Sequence, residues 1–517
     1  MGWVQDIVCF YDNILPVHYQ DMVFNKKLAF LKSHLTGELN NLMRWLKPIM
    51  LLMGNTSDPV TVKEALAVLM AAFPVYRIYA SGFPLNHTDL HWVNLAFDKA
   101  YAKAPALHIA LDWLKSLFHT DPADPLASEI LYFLQRWSQY TAPLAAKGTE
   151  DTVFYNYNVL IGLNEVGDSP GRSPITASDF HSLMRRRQET ASLSLNASST
   201  HDTKRGEDNR LRINLISLYA AEWIRLVEKW KTLNQPFIKM QNGSRSPSAN
   251  DEYLIYQALT GVLPEDGEAG PEFKKRFSAY LIKAMREENQ ETQWEEPDTG
   301  YEKNTLDFVA SILSPEHLFL SAFLPFIKKI ISRAADYALS ETLLKLTAPG
   351  IPDIYQGAEL WDLSLVDPDN RLPVDFDKRK EMLNAIISGE KENEEAVLTY
   401  TSRYRSSGAQ KIFLIRKILN FRRNNPELFI QGGYVPVAGT PDLMGYIRKL
   451  TDQQLLIIVP LPSPNAIAAL SGIQGVAGTW RNLLTNQAVD LTDTLDPHAL
   501  LKDFPVAALV LQNQTAK

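Results

Sequence analysis

The chain has 517 residues, 45% of them hydrophobic and 21% charged, which excludes a disordered protein and predicts roughly two to four globular domains. A net charge of −7 argues against nucleic acid or an anionic membrane as partner, since both call for a basic surface. Cys9 is the only cysteine, so a disulfide framework and a cysteine metal site are excluded, and no cofactor or metal is expected.

Met1 to Asp6 lack the basic and apolar regions of a secretory leader, and a cytoplasmic location is expected. Residues 20–140 read as helix after helix, with apolar residues at three- and four-residue spacing in 26–52, 60–73 and 126–140. Within that region 75–79 reads as a strand. A Gly/Pro/Ser loop covers 167–174 and a helix about 178–189. Leu193 to Ala197 reads as a strand that runs into Ser199-Thr200-His201-Asp202-Thr203-Lys204-Arg205-Gly206-Glu207-Asp208. A long helix then reaches about Trp230, with Leu211, Leu215 and Leu218 on one face. Residues 242–248 read as a polar linker or exposed loop, followed by helices near 251–262, 270–288, 301–314 and 316–347. The apolar run 318–326 is too short to span a bilayer. A short strand lies between turn residues in 347–357, and a helix covers about 409–424. From Leu428 onward, short β-rich runs alternate with Gly, Pro and Asn turns.

The fold class expected is α/β: a partial (β/α)8 TIM barrel with large helical insertions, plus a C-terminal antiparallel β domain. The expected divisions are 1–190 (helical insertion with part of the barrel), 191–427 (C-terminal barrel strands and helices) and 428–517 (β domain). Only two or three rim-type strands are legible before residue 370, fewer than a closed barrel needs.

A strand ending in an acid and followed by a helix is how such a barrel presents a catalytic carboxylate, which draws attention to Asp202. Four other segments mix carboxylates, amides and aromatic rings: 146–155, 73–79, 353–359 and 367–371. Sugars call for that mixture, with polar groups for hydroxyls and aromatic faces for C–H surfaces. Each segment also has a structural reading: a strand-end acid as cap or ion-pair partner, Lys147 with Glu150 as a surface pair, Tyr76 and Tyr79 as core.

In sequence order, 146–155, Leu163 to Gly167, Phe180 to Arg187, Ser199 to Asp208, Pro349 to Glu359 and Asp367 to Asp375 resemble the maltooligosyl trehalose synthases. These form the trehalose-forming branch of the α-amylase family, glycoside hydrolase family 13. Thr292, Trp294, Tyr301 and Glu302 fit as well, and the likeness runs from about residue 25 to the end. The resemblance implies an intramolecular transglucosylase (an isomerase of trehalose biosynthesis) that converts the reducing-end α-1,4 link of maltooligosaccharides to α,α-1,1. It implies Asp202 as the transition-state-stabilising carboxylate and His201 as its sugar-binding neighbour. Lys204, Arg205, Lys147, Glu150, Asp151, Tyr155, Tyr76, Arg77, Glu359 and Arg371 are the further substrate-binding candidates.

One departure is concrete. The family's nucleophile lies in a Gly-x-Arg-x-Asp-His segment and its acid in a Glu-Lys-Ile-Leu segment, and neither occurs here. The resemblance therefore implies the C-terminal portion of such an enzyme, from a truncated or split reading frame, that lacks two of three catalytic carboxylates. Two other readings stand beside it: a non-catalytic partner that binds α-glucan or complements a separately encoded N-terminal half, and another α-amylase-family hydrolase.

Overall fold

The structure is a computed structural model and describes residues 2–512 except 173, 242, 464–472, 475 and 493. It divides into two compact units: 11–158 with 282–302, and 1–10 with 159–281 and 303–517.

The unit built on 11–158 is helical. Its helices include Tyr19–Ser33, Thr36–Leu52, Pro59–Ala72, His87–Lys103, His108–Phe118 and Ala127–Ala145. Apolar residues at helical spacing turn inward to one core, in which Trp137 meets Phe73 and Phe118 edge-on at 4.8 and 5.3 Å. The apolar run 26–52 is two helices, separated by a turn at His34 and Leu35. Residues 75–79, expected as a strand, form none: the chain bends at 75–76, the segment pairs with no strand among the described residues, and Arg77 lies over the Tyr79 ring at 4.7 Å. A π-helical stretch, Ala146–Val153, continues the last long helix.

The other unit is mixed. Leu195–Asn196 and Ile351–Pro352 form a two-stranded parallel sheet, with Leu195 opposite Ile351. Parallel strands need a long crossover, and here it includes the helix Leu318–Thr347. Asn196 fixes the ribbon by donating to the carbonyls of Lys345 (3.4 Å) and Pro349 (3.2 Å). Gly350 adopts φ +129°, and a Cβ there would stand 2.7 Å from the Asn196 side chain and the Ser194 carbonyl, so only glycine fits. Within 242–248, read as a polar linker or exposed loop, Ser244–Ser246 forms a strand that pairs antiparallel with Lys239–Gln241; Asn242 lies outside the described residues.

The C-terminal region is an antiparallel sheet. Among the described residues, eight strands run in the order 488–491, 478–482, 507–511, 453–460, 443–450, 433–440, 473–474, 494–495. Gln453–Pro460 is buried on both faces: Leu455, Ile457 and Val459 pack with Phe413 of the helix Ala409–Asn424, while Leu456 and Ile458 pack with Trp480 and Leu509. The charge-rich segment 376–403, unread in the sequence, forms the helices Phe376–Glu392 and Glu394–Arg403.

Candidate active site

Two loops meet beyond the parallel ribbon, Ala197–Gly206 and Leu363–Arg371, and Ser199 anchors the first of them. Its hydroxyl donates to Asp362 at 3.0 Å and accepts the backbone N–H of Glu207 at 2.9 Å. The Thr203 hydroxyl donates to the Thr200 carbonyl at 2.8 Å, which closes the turn that carries His201 and Asp202. Asp202 therefore stands on a turn six residues past the strand end, with its side chain 64% exposed.

The second loop braces this turn from outside. Asn370 donates to the carbonyls of Thr200 (3.3 Å) and His201 (3.1 Å). Arg371 reaches the His201 carbonyl and Asp202 Oδ1, both at 3.4 Å, and His201 Nε2 lies 3.4 Å from Asp202 Oδ2. The second loop is itself held by a bidentate pair, Arg276 on Asp369 at 2.6 and 2.7 Å.

Behind the turn lies a buried charge network. Glu207 accepts Lys411 at 2.6 Å and Lys345 at 2.9 Å, while Asp208 accepts Lys411 at 2.7 Å and the Asp362 N–H at 2.6 Å. Two carboxylates and two ammonium groups balance, and each has hydrogen-bond partners, as charges removed from water require. Burial alone would raise the Glu207 carboxyl, but Lys411 and Lys345 outweigh it and hold the group at about 2. Burial opposes the charge on Lys411 too, yet Asp208 and Glu207 raise it above the ordinary lysine range. Gly206 is needed for this packing, because a Cβ there would lie 2.3 Å from Asp362 Oδ1.

The candidates fall into sets. His201, Asp202 and Arg371 share one exposed cluster. Arg205 is buried, with its guanidinium on the Ile161 carbonyl (2.9 Å) and the Tyr280 hydroxyl (3.2 Å). The backbone N–H of Lys204 donates to Glu165 at 2.8 Å, and Glu165 also pairs with Arg210 at 3.3 Å. Glu359 pairs with Arg379 at 3.1 Å and touches neither His201 nor Asp202. In the helical unit, Tyr76 hydrogen-bonds Glu150, Lys147 pairs with Asp151 at 2.7 Å, and Tyr155 is buried. Gly148 lets this π-helical stretch press on Lys27, whose Cγ would stand 2.7 Å from a Cβ.

Asn370 lies in the segment 367–371 picked out in the sequence, whereas Asp362, Lys345 and Lys411 also brace the turn and were not picked out. The signal for these three is the charge density of 204–208 alone, because each partner lies more than 130 residues away. Among the described residues, no group of His, Cys, Asp and Glu is arranged to hold a metal ion. No helix among them is long and apolar enough to cross a membrane.

No family model matches the chain. A curated protein of Mycobacterium tuberculosis (strain CDC 1551 / Oshkosh) named maltooligosyl trehalose synthase is 33% identical over 395 residues. The match takes in 73% of this chain and 45% of that protein, so the chain spans about half the length of its curated relatives. The solved maltooligosyltrehalose synthase of Arthrobacter ramosus is similar with a TM-score of 0.80 at 29% identity, covering 98% of this chain and 61% of that one. A Sulfolobus tokodaii structure titled a hypothetical maltooligosyl trehalose synthase gives 0.72 at 25% identity, covering 98% and 60%. In sequence and in fold, the chain is a relative of the maltooligosyl trehalose synthases.

Proposed function

We propose that this chain supplies one part of the active site of an intramolecular transglucosylase. The reaction moves the reducing-end glucose of a maltooligosaccharide from an α-1,4 to an α,α-1,1 link. Asp202 is the carboxylate that stabilises the oxocarbenium-like transition state, and His201 hydrogen-bonds the sugar ring beside it. The observation that carries the reading is an exposed carboxylate held from two sides, by Arg371 on its oxygen and by Asn370 on the backbone of its turn. A positioned negative charge of this kind stabilises developing positive charge without reorganising during the reaction.

The parallel ribbon Leu195–Asn196 with Ile351–Pro352 supports a barrel rim as the platform. Lys204, Arg205, Glu359, Lys147, Glu150, Asp151, Tyr155, Tyr76 and Arg77 are proposed to line or shape the glucan site; Arg205 and Glu359 do so through protein partners. A soluble, cytoplasmic setting suits a maltooligosaccharide substrate.

Retaining chemistry takes two further carboxyl groups, about 5 Å apart across the scissile bond. No segment of these 517 residues matches the family's motif for either, so the reading needs a second segment, in cis or on another chain, to bring them. The purified chain is expected to give no trehalose-linked product from maltopentaose. A chimera in which it replaces the matching 61% of the Arthrobacter ramosus enzyme is expected to give that product. Product from the chain alone, or glucose and maltose without any trehalose linkage from the chimera, contradicts the reading.

A further inference from the structure

A pocket of about 870 Å³ opens beside the helix Glu207–Asn214, a volume ordinary for a small-molecule site. None of His201, Asp202 and Arg371 lines it. Its walls are Asp208 and Arg212 of that helix, the small side chains Ala335 and Ala338 of Leu318–Thr347, and Trp361. The indole is fixed by Nε1 donating to the Arg405 carbonyl at 2.8 Å.

Arg212 is the unusual member. It is 8% exposed, and its only hydrogen bonds are long ones from Nη1, to the carbonyls of Gly261 (3.4 Å) and Leu263 (3.3 Å). Nε and Nη2 have no hydrogen-bond partner among the described residues. No carboxylate there comes within ion-pair distance of the guanidinium. The other charged members are accounted for. Asp208 is taken by Lys411, and Arg405 by Asp336 at 2.7 Å. Lys328 and Arg403 stand exposed, as do Glu265 and Asp266, so solvent screens these four. Burial draws the Arg212 guanidinium down to about 10, so it remains charged at neutral pH.

Nε and Nη2 are not closed off from the pocket, so an acceptor within it can reach both donors of a cation that the surrounding protein otherwise buries. The Nε and Nη2 donors form the planar fork that takes both oxygens of a carboxylate or phosphate. We propose that this pocket binds a small metabolite carrying an oxyanion, a phosphate ester or a carboxylate, held by Nε and Nη2 of Arg212. The body of the ligand packs against Trp361 and Ala335.

The test is calorimetric titration of the 517-residue chain with inorganic phosphate, glucose 1-phosphate, glucuronate and uncharged glucose. Saturable binding is expected for at least one anionic probe and not for glucose. Glucose 1-phosphate over glucuronate identifies a phosphate ester, and the reverse order a carboxylate. Arg212→Met is expected to weaken binding by about tenfold or more, as loss of a charged bidentate pair does. Ala335→Phe, which fills the pocket and leaves the guanidinium in place, is expected to abolish binding; this variant decides the matter if Arg212→Met does not fold. Absence of saturable binding by all three anions, or equal affinity in Ala335→Phe, overturns the proposal.

Discussion

Lys27 shows what a single buried charge does in this molecule. Its side chain is 2% exposed in the helical unit, and its ammonium donates to the Phe73 carbonyl at 2.7 Å. Burial, with Lys99 adding repulsion, pulls it down to about 7. A lysine with a depressed folded value penalises the folded state while protonated, and the penalty is fully present below about pH 7. The unfolded chain binds more protons between about 7 and the ordinary lysine value, so stability rises with pH across that window. Lys27→Met is therefore expected to stabilise the protein near pH 6, by up to a few kcal/mol on that linkage. The gain should shrink as pH rises toward 10, and urea melts at several pH values read this directly. Glu207 behaves oppositely. Its depressed value means stability that is present above the ordinary carboxylate range and lost as pH falls toward about 2. Lys411→Met leaves two buried carboxylates with one ammonium between them, and an equilibrium melt is expected to show a loss of about 3–5 kcal/mol.

The elements that position the site are short, and this governs what was legible. Long helices announce themselves by the 3.6-residue period: 126–140, 251–262 and 409–424 each correspond to an observed helix. The site strands were legible only as short runs: Leu195–Asn196 and Ile351–Pro352 fall within the strands expected in 193–197 and 347–357, but two residues each carry no period, and their pairing across more than 150 residues left no local signal. Residues 75–79 carry a strand-like sequence yet find no partner strand among the described residues, because β propensity is a matter of context. The helices of 376–403 are rich in Glu and Lys and bury few residues, which hides their period. His201-Asp202 was legible as chemistry; its bracing was not, because Asn370 and Arg371 approach from a distant loop. Asn370→Ala is expected to loosen the turn and, in an active assembly, to lower kcat more than it raises KM. Steady-state kinetics on maltopentaose separate the two. Gly350→Ala forces a Cβ into the ribbon at a positive φ and should cost about 1–3 kcal/mol in a urea melt.

At the scale of the whole molecule, sequence and fold both make the chain a relative of the maltooligosyl trehalose synthases. The chain aligns with nearly its whole length to about three-fifths of the Arthrobacter ramosus enzyme. Within these 517 residues, Asp202 stands on a braced, exposed turn, and the proposed function makes it one of the three carboxylates the reaction takes. The central claim is that Asp202 is the one that stabilises the transition state. It is tested most directly by Asp202→Asn in the chimera with the Arthrobacter ramosus enzyme, assayed for trehalose-linked product from maltopentaose. The substitution keeps the size of the side chain and removes its charge. The account predicts a fall in kcat of about a thousandfold or more, the scale of losing a preorganised electrostatic group, with the melting temperature unchanged. Activity within a few-fold of the unsubstituted chimera would contradict it.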